Sequence, residues 1–353
     1  MEPLPDALSP EDPPLLSRGA YTVLAALMGV FSAGGILLNL LVVVVTLRHR
    51  QLRQPLNYAL VNLALCDLGC AALGGVPTTV ATGMGRFPFG RLGCVAEGFT
   101  VAFFGIASLC TVAVIAVERY VVVCRPLGAL VFQTRHAVGG VVISWLWSFL
   151  WNTPPLFGWG SFQLEGIRTS CAPCWSGRDA GNRSYILLYL LMCFVLPLSL
   201  ILLAYGRLLG TLRKVSQVCG GGGPSRVEQQ VGVMVSLMVL SFLLSWLPYA
   251  GLALATVLDP GLQLRPLLAT APAFLAKSST TYNPIIYIFM NRQFRDCTVR
   301  TLLCGRNPWA SDLEGSAGDP EGSAGDPEGS AGDTAVSTLS RTHKASNSDL
   351  SRE

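Results

Sequence analysis

Lysine, histidine and charge in general are scarce in this chain of 353 residues. Only 13% of residues are charged against 51% hydrophobic, and the mean hydropathy is +0.49, which excludes an ordinary soluble domain and points to a bilayer protein. No basic stripe interleaved with aromatics is present, so the net charge of +4 does not mark a nucleic-acid surface. His49, His136 and His343 are the only histidines and fall in loops or the tail, and buried acids are sparse, which argues against an ion relay through the bundle. Gly220 to Gly223 are followed by Pro224, not by Lys-Ser/Thr, and no strand precedes them. They read as a flexible connector, not a phosphate cradle. The first 20 residues are proline-rich and acidic, without the basic start of a secretory signal, so no signal peptide is expected.

Apolar sequence is what abounds. A span needs about 20 residues at helical rise. Seven runs qualify: Tyr21–Leu47, Leu56–Val80, Cys94–Val123, Ala137–Leu156, Tyr185–Leu209, Val231–Leu258 and Leu264–Met290. The expected fold is an all-α membrane protein, a seven-transmembrane helix bundle. Arginines at 48, 50 and 53, at 125 and 135, at 213 and 226, and at 292, 295 and 300, with Lys214, mark one set of loops as cytosolic. Residues 1–20 are then an extracellular segment and 21–290 the bundle. Residues 291–305 carry apolar and basic side chains at helical spacing, which predicts a short amphipathic helix on the inner membrane surface, and Cys304 is its candidate palmitoylation site. Residues 306–353 repeat Glu-Gly-Ser-Ala-Gly-Asp-Pro from Glu314 and are expected to be a disordered cytoplasmic tail, with hydroxyls from Ser337 to Ser348 open to phosphorylation.

One of the three lysines, Lys277, lies within the last apolar run. An amine at mid-membrane costs roughly 2.5–3.5 kcal/mol on insertion scales, so it marks a site or a snorkelling, ion-paired structural residue. Hydrocarbon disfavours the ammonium, and a neutral amine can condense with an aldehyde as a Schiff base. The protonated imine then needs a facing carboxylate. Glu97, one turn after Cys94, and Glu165, in the loop before Cys171, are the acids nearest the outer half. The Cys171/Cys174 pair lacks a second ligand pair for a metal, and a disulfide from one of the two to Cys94 is the better reading. Asn182 heads a glycosylation sequon on the expected outer side.

Asn39, Asp67 and Asn283 are polar positions in three different spans, expected to satisfy one another and intervening water. Pro197, Pro248 and Pro284 are expected to interrupt theirs. Trp246 precedes Pro248, with Phe242 and Tyr249 at helical offsets. Glu118-Arg119-Tyr120 closes the third span, where Glu228 from the start of the sixth could reach Arg119.

Together, Glu118-Arg119-Tyr120, Trp246 with Pro248, Asn283-Pro284 with Tyr287, and the Cys94/Cys171 pair resemble the rhodopsin-like G-protein-coupled receptors. Lys277, seven residues before Pro284, narrows the resemblance to the opsins. Residues 52–64, 102–107, 147–159 and 291–296 are most similar to the parapinopsins, non-visual pineal pigments, and then to the pinopsins. The resemblance implies a receptor, not an enzyme. It implies 11-cis-retinal as a Schiff base on Lys277, converted by light to all-trans-retinal. The implied pocket is formed by Ala102, Gly105, Ile106, Phe242, Trp246, Tyr249, Ala250 and Ala273. Glu165 is implied as principal counterion of a bistable, short-wavelength pigment, with Glu97 at the position used by vertebrate visual pigments. The implied activation switch comprises Glu118, Arg119, Tyr120, Glu228, Asn283, Pro284 and Tyr287. The partners implied are a heterotrimeric G protein of Gi/transducin type, and arrestin and a receptor kinase at the tail, in a plasma or photoreceptor-cell membrane. Ser245, Ile106 and Cys193 depart from rod pigments, which puts rod-like colour and proton transfer aside. A retinal photoisomerase is the alternative use of such a pocket.

Overall fold

The computed structural model describes residues 14–124, 133–218, 226–259, 261–262 and 264–303. The first span is α1, Arg18–Arg48. The second is built from α2, Pro55–Cys70, a π-helical turn at Ala71–Gly75, and α3, Val76–Met84. The third is α4, Gly90–Cys124, and the fourth is α5, Thr134–Asn152. The fifth combines α6, Ala180–Leu190, a π turn at Leu191–Val195, and α7, Leu196–Val218. The sixth is α8, Arg226–Leu258. The seventh runs through α9, Pro266–Ser278, a 3-10 turn at Ser279–Thr281, and α10, Tyr282–Met290. A last helix, α11, covers Arg292–Leu302.

Among the described residues, five of these spans are continuous and apolar enough to cross a membrane on length and composition alone. The fourth is shorter and carries Arg135, His136, Ser144, Ser148 and Asn152, and the seventh is divided between α9 and α10. Large apolar side chains on the outside, such as Leu37, Ile143, Leu203 and Phe289, are mostly exposed. In water such a surface would aggregate; against lipid it is the expected exterior.

The breaks follow the prolines. A proline has no N–H and its ring clashes with the carbonyl four residues earlier, which favours a wider or tighter turn there. Both π turns end two residues before a proline, Pro77 and Pro197. In the seventh span Pro284 releases the carbonyl of Thr280 within the 3-10 turn, and Asn39 Nδ2 donates to it at 2.7 Å. Pro248, by contrast, sits inside α8 with no change of helix type, and Pro77 accompanies a break within the apolar run Leu56–Val80.

At one end of the bundle the segment between α5 and α6 forms an antiparallel hairpin, β1, Phe162–Glu165, and β2, Ser170–Pro173, with Leu164 opposite Cys171 and Glu165 opposite Ser170. Its turn uses Gly166 at φ 56°, where a Cβ would also run into the Thr270 side chain. The tip is held by Ile167 N donating to Thr270 Oγ1 at 2.9 Å, and β2 is tied to α4 by a disulfide between Cys94 and Cys171. Towards the opposite end, Val42, Leu60, Leu63, Leu109, Ile115, Met234, Met238 and Tyr287 form the main core. Phe294, Cys297 and Thr298, at helical spacing, bury one face of α11, whose first turn is capped by the Asn291 side chain accepting from Phe294 N at 3.0 Å. This is the surface helix expected after the seventh span. Cys304, residues 1–13 and residues 304–353, with the repeats and the tail hydroxyls, lie outside the described residues.

Candidate chromophore site

Beneath the hairpin lies an apolar cavity. Small residues make the room: Gly98, Ala102, Ala250, Ala253, Ala273 and Ala276 all line it. Its wall is almost wholly apolar apart from Glu165, Tyr249 and Lys277. Of the expected pocket residues, Ala102, Ile106, Trp246, Tyr249, Ala250 and Ala273 line the cavity. Gly105 and Phe242 instead shape its floor. The Phe242 ring stacks on Trp246 at 5.7 Å, and a Cβ on Gly105 would lie 2.8 Å from the Trp246 ring, so glycine is what lets the indole lie against α4. Trp246 Nε1 donates to Ser279 Oγ at 3.1 Å, joining the sixth span to the 3-10 turn of the seventh.

Lys277, in the last turn of α9, is 6% exposed. Its Nζ donates to Thr78 Oγ1 at 2.6 Å and to Glu97 Oε1 at 3.1 Å, and Thr78 Oγ1 donates to the same carboxylate oxygen at 2.6 Å. Glu97 is 3% exposed, and its Oε2 has no hydrogen-bond partner among the described residues. The direct ion pair of the free amine is therefore with Glu97, not with Glu165, the acid ranked first from sequence. The reason is geometric. Glu165, at the end of β1, accepts from Tyr249 Oη at 2.7 Å and from Ser170 Oγ at 3.2 Å. It lines the cavity, and Glu97 does not. Burial pushes the Glu165 carboxyl above its ordinary range, opposed by the charge of Lys277 and by the bonds from Tyr249 and Ser170.

Sequence reading missed Thr78, Trp175 and Tyr189. Thr78 is brought to Lys277 just after the π turn, which shifts the helical face by one residue; Pro77 was the available signal. Trp175 and Tyr189 line the cavity from beyond β2 and from α6.

Elsewhere the intramembrane polar residues divide. Asn283 Nδ2 donates to Asp67 Oδ2 at 2.9 Å, and Ser108 reaches Asp67 Oδ1 at 3.5 Å. Asn39 does not join them; its Nδ2 bonds the backbone carbonyls of Gly35, at 2.8 Å, and Thr280. Both choices give buried polar atoms a partner within the bundle. Pro284 and Tyr287 are buried in α10. At the far end of α4, Glu118 pairs with its neighbour Arg119, and Tyr120 is half-buried beside the core. Glu228 belongs to α8, but its side chain lies outside the described residues. Asn182 corrects an expectation. It is 4% exposed, and Nδ2, the atom a glycan would occupy, donates to Cys174 O at 2.6 Å, so the sequon is folded inward.

Residues 38–287 match the family model described as the 7 transmembrane receptor (rhodopsin family). The chain belongs to that family. Among curated proteins this receptor is 60% identical to parapinopsin of Ictalurus punctatus, over 84% of this chain and 86% of the relative. It is 46% identical to pinopsin of Columba livia, over 85% and 86% of the two chains. Among solved structures it is similar to squid rhodopsin, with a TM-score of 0.76 at 26% identity, covering 90% of this chain and 98% of the other. The receptor is thus a seven-transmembrane protein of opsin type, and the fold, disulfide and family read from sequence all stand.

Proposed function

We propose that this receptor is a light-activated, non-visual opsin that binds 11-cis-retinal as a Schiff base on Lys277. The observation that carries this reading is a buried primary amine at the wall of an apolar cavity, with one carboxylate in contact and a second facing the same space. The donor set fits an aldehyde-bearing polyene: one nucleophilic amine, two acids to balance its charge, and small residues for the rest of the length. When bound, retinal supplies light absorption and a change of shape to the all-trans form.

The protein's own groups do the remainder. Thr78 and Glu97 hold the amine in place before attachment. Glu165 is the principal counterion, since it faces the cavity itself, and it suits a bistable, short-wavelength pigment. Trp246, wedged between Phe242, Gly105 and Ser279, feels the cavity's contents and communicates them to α8 and to the Asn283–Asp67 contact. The switch residues Glu118, Arg119, Tyr120, Glu228, Pro284 and Tyr287 then open the far end to a heterotrimeric G protein of Gi/transducin type. The amino terminus is extracellular and the tail cytoplasmic, where arrestin and a receptor kinase engage it.

Borohydride trapping of retinal tests the attachment: label should be lost in Lys277→Ala, and label retained there refutes it. Light-dependent nucleotide exchange on a G protein tests signalling. In the illuminated pigment, Glu165→Gln should perturb the imine's acidity more than Glu97→Gln; the reverse order overturns the ranking of the two acids.

A further inference from the structure

The hydrogen-bond chain at the hairpin side of the cavity has a direction, and one residue dictates it. Glu165 Oε2 accepts from Tyr249 at 2.7 Å. The Tyr249 hydroxyl is itself approached at 3.0 Å by Trp175 Nε1. An indole N–H only donates, whereas a phenol has one proton to give and can also accept. Tyr249 must therefore accept from Trp175, which leaves its single proton for Glu165. Donation onto a hydroxyl also strengthens that hydroxyl's own donation.

We propose that Trp175 is a positioning residue that aims the Tyr249 proton at Glu165 and so holds this carboxyl in its charged form at the cavity wall. The indole is fixed for that task. It meets the Tyr249 ring edge-on at 5.7 Å and 86°, and Tyr189 lies at 6.3 Å. The preceding residue is anchored through its carbonyl by Asn182, which gives the inward-folded asparagine a purpose. A tyrosine at 175 would not impose the same direction, because its hydroxyl could accept from Tyr249 and compete with Glu165. The meaning of this device for the pigment rests on the retinal reading above. Its geometry does not.

The groups that face Glu165 are Ser170 from β2, Tyr249 from α8, Lys277 from α9 and Glu97 from α4. The test reads the protonation midpoint of Glu165 in chromophore-free receptor from its infrared carboxyl band, with Glu165→Gln as the blank. Donors favour the carboxylate, so removing one raises the midpoint. Trp175→Phe should raise it by roughly half to one pH unit, Trp175→Tyr in the same direction, and Tyr249→Phe by at least as much. Trp175→Phe added to Tyr249→Phe should then change nothing further. An unmoved midpoint in the Trp175 variants, or a Trp175 effect undiminished on the Tyr249→Phe background, overturns the proposal. If Trp175→Phe fails to fold, Trp175→Tyr carries the same comparison. Failure of retinal trapping in the parent protein would sink the pigment reading while leaving the midpoints to decide this one.

Discussion

Replacing Glu97 by Gln removes one partner of the buried Lys277–Glu97 ion pair. The Lys277 and Glu97 side chains are 5% and 2% exposed and 3.1 Å apart. At an effective dielectric constant of about 20, a pair at that separation interacts with about 5 kcal/mol. Removing one partner of a buried pair strands the other, and costs about 3–5 kcal/mol. Thr78 cannot compensate, because its single oxygen already accepts from the amine while its proton points at the acid. Glu97→Gln and Lys277→Met should therefore each lower the unfolding temperature of the chromophore-free receptor, measured in detergent, by roughly 6–20 °C. The double variant has neither charge and should lose about as much as one single variant, not the sum. Salt should change none of this, since a pair sealed from water is poorly screened. Additive losses in the double variant would mean that the amine is not charged against Glu97, and the reasoning would fail.

Asn39→Ala strands the Thr280 carbonyl freed by Pro284 and should cost about 1–3 kcal/mol, read as a lowered unfolding temperature. Gly105→Ala forces the Trp246 ring away from α4 and should cost about 1–3 kcal/mol and shift tryptophan fluorescence. Cys171→Ala opens a covalent loop of 77 residues and should cost about 2–5 kcal/mol, seen as faster proteolysis of the hairpin in unreduced samples. Because Asn182 Nδ2 is occupied, glycosidase treatment of receptor from eukaryotic cells should leave its mobility unchanged.

Much of this was legible in the chain because membrane solvent leaves strong marks. Apolar runs show where helices cross, an isolated Lys277 stands out against them, and cysteines at 94 and 171 fall where a loop must be tied down. The partners of these groups were less legible, for a physical reason. Thr78 meets Lys277 from the segment just beyond a π turn, and a repeat of 3.6 residues assigns it to the wrong face. Asn39 was expected to seek other side chains, but Pro284, far away in sequence, had freed a carbonyl beside it. Glu165 and Trp175 owe their positions to a hairpin whose register no helical periodicity encodes.

The continuous course of α8 from Arg226 up to Trp246, short of Pro248, has a mechanical consequence. From Trp246 to Arg226 the helix runs as one rod of about 30 Å at 1.5 Å per residue. A tilt of about 10° pivoting at the indole would sweep the Arg226 end through about 5 Å over that length. A small rotation at the cavity is thus converted, by leverage alone, into a displacement of about 5 Å at the Arg226 end of α8.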